Sequence, residues 1–197
     1  MPNTLQSPPQ QVQNGVSDDL LITAHAAMLA GRHFNQQASN LAKQGYMGAY
    51  PSSLGQEACQ VAAALALEPA DWLFPTYRDS VAVMSRGIDL AEVLSPFHGS
   101  SHCGYAPTKT HTAPEATPLA THTAHAVGLA MAAKFAGDST VALAMCGDGS
   151  TSEGDFHEAL NLAAVFEAPV VFLVQNNGYA ISTPVSRQMR AASIAAK

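Results

Sequence analysis

Charge is scarce in this 197-residue chain: Asp, Glu, Lys and Arg together make up 12%, about half of the usual share near 25%. Only nine residues are Lys or Arg against fifteen Asp or Glu, for a net charge of −6. Nucleic acid is therefore excluded as the main partner, because phosphate binding needs clustered basic side chains. Cysteine is also scarce. Cys59, Cys103 and Cys146 are odd in number and far apart, with no CxxC pair. That excludes a disulfide framework and points to a reducing, cytoplasmic compartment. No run of about 18 apolar residues occurs, so no membrane helix is expected. The first residues show neither a basic region followed by an apolar stretch nor an Arg-rich presequence. At 47% the apolar content suffices for one globular core, which excludes disorder for most of the chain.

Residues 1–16, rich in Pro, Gln, Asn and Ser, read as a disordered tail, and 17–197 as one domain. Ser17-Asp18-Asp19 starts a helix that runs to about Gln44, with Gly45 as its cap. A loop from Gly48 to Gly55 leads to a helix over Gln56–Leu67, expected to be buried. Trp72-Leu73-Phe74 is short and apolar. Short helices fit Ser80–Arg86 and Leu90–Phe97. Residues 98–118 lack periodicity, and a loop of that length is expected only where it serves function or is covered by a partner. A small-residue helix covers Leu119–Phe135. Its alanines, like those of 56–67, suit core or subunit interface.

The pattern then sharpens. Val141–Cys146 and Val170–Val174 read as buried strands on either side of a helix over Phe156–Phe166, a βαβ unit on a parallel sheet. The strands end in Gly147-Asp148-Gly149 and Asn176-Asn177-Gly178-Tyr179. Parallel strands open their carboxyl ends on one edge, where α/β sheets bind ligands. Gly-Asp-Gly alone reads equally well as a tight turn. Paired with Asn-Asn in this frame, it offers hard oxygen donors suited to Mg²⁺ or Ca²⁺. Gly149 and Ser150 would turn backbone N–H groups to a phosphate. The ligand class expected is a metal-bound diphosphate.

The segment GDGSTSEGDFHEALNLAAVFEAPVVFLVQNNGYAISTP resembles the thiamine diphosphate motif of alpha subunits of 2-oxo acid dehydrogenase E1 components, pyruvate and branched-chain types alike. The resemblance extends to Gly55-Gln56-Glu57-Ala58, Phe74 to Asp79 and Thr117-Pro118-Leu119-Ala120-Thr121, and spans about residues 30 to 190. It implies an α/β thiamine diphosphate-binding fold, a parallel sheet flanked by helices. It implies Mg²⁺ held by Asp148, Asn177 and the Tyr179 carbonyl. Tyr77, Arg78, Gly149 and Ser150 would meet the diphosphate. Thr117 and Leu119 would lie along the cofactor, with Leu119 propping its bent ring.

The implied activity is oxidative decarboxylation of a small 2-oxo acid with acyl transfer to the lipoyl domain of an E2 acyltransferase. The implied assembly is α2β2 with a beta subunit that completes the active site. An acetoin dehydrogenase, a transketolase-like relative and an inactive fragment are the alternatives. Alpha subunits of this family are about twice as long, so the sheet is expected to be incomplete at its C-terminal end. The loop whose His contacts the cofactor is expected beyond Lys197, which leaves the catalytic residue unassigned. Ala116-Thr117 precedes Pro118, and His122 stands where the branched-chain pattern has Gln. That departure falls where some members carry a monovalent-cation site.

Other candidates read as structural. His98, His102, Cys103 and His111 fit no regular zinc spacing; substrate or lipoyl contact is their alternative role. His122 and His125 suit packing, with cofactor contact as the alternative. His157 suits capping or an interface, Glu153 the helix dipole, and Cys146 a buried inert thiol.

Overall fold

A computed structural model describes residues 15–197. All but Gly15 and Val16 of the expected tail lies outside the described residues. The first helix, α1 (Asp18–Lys43), starts as its sequence predicts. Ser17 Oγ accepts from the Leu20 amide, and Asp18 and Asp19 face the positive end of the dipole. At the other end Gly45 sits one residue past the cap, at φ +80°. Its amide donates to the Ala42 carbonyl and that of Tyr46 to Leu41, the paired closure that a left-handed glycine permits.

Next come α2 (Glu57–Leu65), β1 (Trp72–Phe74), α3 (Ser80–Ser85), α4 (Leu90–Leu94), α5 (Pro107–Thr110) and α6 (Thr121–Ala136). They are followed by β2 (Ala142–Gly147), α7 (Gly154–Phe166), β3 (Val170–Gln175), a hairpin of β4 (Tyr179–Ala180) and β5 (Thr183–Pro184), and α8 (Val185–Gln188). β1, β2 and β3 form one parallel sheet in that order, with Phe74 opposite Ala144 and Gly147 opposite Gln175.

Side chains alternate across the sheet with period two. Leu73, Leu143, Met145 and Leu173 pack on one face with Phe34, Val61 and Val81 from α1, α2 and α3. Phe74, Ala142, Ala144 and Phe172 pack on the other with Ala126 and Ala130 of α6. Small residues on both sides of that second contact let α6 approach the strands closely. Ala159 and Ala163 of α7 pack against Val127 of α6. The outer edge of β3 has no partner strand among the described residues, and Val171 on it is exposed.

Five expectations need correction. Val170–Val174, read as a buried strand, is only part-buried with Val171 exposed, because the outer edge of β3 has no partner strand among the described residues. The 56–67 segment is buried on one face only: Ala58, Cys59 and Ala62 are exposed. The α6 helix starts at Thr121 rather than Leu119, because Ala120 is held at φ +60° and breaks the helical run. The α7 helix starts two residues before Phe156, on Gly154. The 98–118 stretch is not without structure. It holds a 3₁₀ turn ending at His98 and the short α5, then runs along β1 with Leu73 bridged to Thr112 and Thr76 to Ala116.

Candidate functional site

The register decides where the chemistry lies. Gly147 pairs with Gln175, so Asp148 and Asn176-Asn177 leave the sheet from neighbouring positions. The turn after β1, Thr76 to Asp79, leaves from the same edge. Between these turns opens a cavity of about 790 Å³, within the range typical of small-molecule sites. Every site residue named from the sequence lines it: Tyr77, Arg78, Thr117, Leu119, Asp148, Gly149, Ser150, Asn177 and Tyr179.

Each turn is built by its own residues. Asp148 opens a 3₁₀ turn, Asp148–Ser152, that precedes α7. Its side chain is 1% exposed, its backbone carbonyl accepts from Thr151 Oγ1 at 2.8 Å, and its Oδ2 accepts from Gln188 Nε2 at 3.0 Å. Ser150 Oγ is buried with no hydrogen-bond partner, although it lines the cavity. A side chain at Gly149 would place its Cβ 2.9 Å from that of Ala180, so this turn must pass the hairpin as bare backbone. After β3, Asn176 Oδ1 accepts from the Gly178 amide at 2.9 Å and Asn177 Oδ1 from the Tyr179 amide at 3.0 Å. Two successive Asx turns thus fold the chain back towards the hairpin. An amide oxygen has two lone pairs, so Asn177 keeps one for a further partner.

Arg78 is anchored on both sides. Its Nη1 donates to the Ser52 carbonyl at 2.8 Å, and its carbonyl accepts from Gln60 Nε2 at 3.0 Å. Its guanidinium lies 5.4 Å from the centre of the Tyr77 ring. Beneath it runs a buried polar chain. Gln60 Nε2 donates to Gln175 Oε1 at 3.3 Å, and Gln175 Nε2 donates to Asp79 Oδ1 at 2.6 Å. The other Asp79 oxygen accepts from the amide and hydroxyl of Thr76 at 2.7 and 2.8 Å. Burial pushes the Asp79 carboxyl up, while these hydrogen bonds pull it down. Nearby, burial pushes Glu115 up to about 8, and both its oxygens lack partners.

Gln56, Thr76, Gln175, Ala180 and Ile181 also line the cavity and were not among the expected site residues. A polar residue closing an apolar strand was the available signal for Gln175. Ile181, at φ +56° and fully exposed at the hairpin tip, carries no sequence signal for that conformation.

The other candidates sit apart from the cavity lining. His122 is buried with Nε2 2.6 Å from the Met145 carbonyl, and burial holds its imidazole below the ordinary range. His125 is exposed. His157 Nε2 lies 3.0 Å from the Thr151 carbonyl and His111 Nδ1 2.7 Å from that of Pro69. Glu153 occupies the cap position of α7 without a side-chain capping bond. Cys146 is buried, and burial pushes its thiol up to about 12. Among the described residues, His98, His102, Cys103 and His111 are not brought together as a group of three or more metal-ligating side chains.

The model of the dehydrogenase E1 component family matches residues 25–197. The chain belongs to that family. The 3-methyl-2-oxobutanoate dehydrogenase subunit alpha of Mycobacterium tuberculosis is 47% identical over 180 residues, covering 91% of this chain and 49% of the relative. The pyruvate dehydrogenase E1 component subunit alpha of Staphylococcus aureus is 36% identical over 182 residues, covering 92% of this chain and 49% of the relative. This E1 chain therefore spans about half the length of the curated relatives it matches. The α/β fold with its helix-flanked parallel sheet agrees with what the sequence led one to expect of such a chain. No helix among the described residues is long and apolar enough to cross a membrane.

Proposed function

We propose that this chain is the cofactor-holding part of an E1 alpha subunit of a 2-oxo acid dehydrogenase complex. The observation that carries this reading is the meeting of Asp148, Asn177, Tyr179 and Arg78 around one cavity at the carboxyl edge of the sheet. Their chemistry suits Mg²⁺ and a diphosphate. A buried carboxylate, an amide oxygen and a backbone carbonyl are hard donors. Arg78 presents a fork to phosphate oxygens. The unpartnered hydroxyl of Ser150 wants a hydrogen-bond partner where the phosphate would lie.

In this reading Asp148, Asn177 and the Tyr179 carbonyl hold Mg²⁺. Tyr77, Arg78, Gly149 and Ser150 hold the diphosphate, and Thr117 and Leu119 line the rest of thiamine diphosphate. That cofactor supplies the nucleophilic carbon and the electron sink for loss of CO₂. The chain's own residues fix its charged end: Arg78 orients the phosphates while the buried Asp148 sets the cation. The substrate is pyruvate or a branched 2-oxo acid, which differ by methylenes worth about 1–3 kcal/mol each in an apolar pocket. A beta subunit in an α2β2 assembly completes the active site, and the lipoyl domain of E2 takes the acyl group. The compartment is the cytoplasm, in keeping with three unpaired cysteines.

Calorimetric titration of thiamine diphosphate with Mg²⁺ into this chain, with and without a complementing beta subunit, tests the reading. Metal-dependent binding is expected, tighter with the beta subunit. Absence of binding in both arms overturns it.

A further inference from the structure

Gln188, forty positions from Asp148 in sequence, reaches that cavity-lining carboxylate from α8. Its Nε2 donates to Asp148 Oδ2 at 3.0 Å and to the Thr183 carbonyl at 3.1 Å, and its Oε1 accepts from Ser152 Oγ at 3.4 Å. One amide thus spans three pieces of chain: the turn that carries Asp148, the helix α8, and the hairpin strand paired with Tyr179. Among the described residues, the second oxygen of Asp148 accepts no hydrogen bond.

The chemistry of the donor matters. A buried carboxylate left without a partner is costly and free to reorient. A lysine or arginine at this point would neutralise the charge that a divalent cation needs. An amide holds the carboxylate without cancelling its charge. Arg187 and Arg190 are exposed, and the Lys197 ammonium on the same turn donates to the Thr151 carbonyl, not to Asp148. We propose that Gln188 is a positioning residue for the cation end of the cavity, fixing Asp148 through Oδ2 so that the other oxygen meets the metal, and keying the Tyr179 hairpin to the same point. This inference rests on the reading of Asp148 as a Mg²⁺ ligand.

The test is thermal unfolding of the whole 197-residue chain with saturating thiamine diphosphate, titrated with Mg²⁺ and separately with Ca²⁺. The wild type is compared with Gln188→Met, which keeps length and loses the donor, and with Asp148→Ala. Gln188→Met should unfold below the wild-type temperature without metal, because the Asp148 carboxylate loses its donor, and, measured from its own metal-free baseline, should need about tenfold or more Mg²⁺ for half the shift. The change with Ca²⁺ should be smaller, because Ca²⁺ tolerates irregular ligand geometry and Mg²⁺ does not. Titration of Gln188→Met within twofold of wild type, with Asp148→Ala silent, overturns the positioning role and leaves the metal reading intact. An equal loss of affinity for both cations reduces Gln188 to a structural tie and also overturns it. A wild-type response in Asp148→Ala, or no metal response in the wild type, overturns the metal reading and this inference with it.

Discussion

Gln175 donates to Asp79 at 2.6 Å across 96 positions of sequence. That bond ties the end of β3, two residues before Asn177, to the turn that carries Arg78. The two halves of the cavity therefore share one buried strut.

Gln175→Leu should loosen both halves at once. It removes one of three hydrogen bonds to a fully buried carboxyl. Stranding a buried charged acceptor costs about 3 kcal/mol. Urea unfolding of the variant measures this, and a loss under about 1 kcal/mol would show that the strut is dispensable.

Glu115 makes stability depend on pH. Its carboxyl titrates near 4.5 when exposed and is pushed up to about 8 by burial in the fold. The folded chain thus keeps a proton that the unfolded chain releases, so stability falls as pH rises from about 4.5 to 8. The slope is at most about 1.4 kcal/mol per pH unit. Glu115→Gln should abolish that slope, and its stability relative to wild type should rise between pH 5 and pH 8. Parallel denaturation curves at the two pH values would refute the assignment.

Asp148→Ala should abolish Mg²⁺-dependent cofactor binding. Arg78→Lys should weaken it by about tenfold while keeping the metal dependence, because a point charge replaces a fork. Calorimetry separates the two outcomes, and undiminished affinity in Asp148→Ala would sink the metal site.

Gly149→Ala probes the close passage of the turn under the hairpin. The new Cβ would stand 2.9 Å from that of Ala180, and neither atom is the far end of a flexible side chain. A displacement costing about 1–3 kcal/mol is expected, read as weaker cofactor binding with the helices intact by circular dichroism. Unchanged affinity would mean that the hairpin gives way freely.

Local signals made much of the fold legible. Ser17-Asp18-Asp19 and Gly45 bracket α1 because capping and left-handed closure are chemistry of a few adjacent residues. The strands β2 and β3 were visible as apolar runs, but only β2 is buried; β3 is part-buried at the open edge of the sheet. β1 was less so, because three residues carry too little periodicity to separate a strand from a loop. Ala120 and Ile181 at positive φ, at +60° and +56°, escaped reading because no local rule asks either residue for that backbone.

By itself the sequence determined the chemistry at the strand ends: an Asp after one glycine, an Asn pair after the next strand, and an Arg after the first. It could do so because turn formers and oxygen donors are types of residue, and type is what a sequence states. Only the tertiary structure decided that Gly147 pairs with Gln175, that Gln188 holds Asp148, and that Gln175 reaches Asp79. Those contacts depend on register and on packing of α6 and α7 against the sheet, sums of many weak interactions that no short segment encodes.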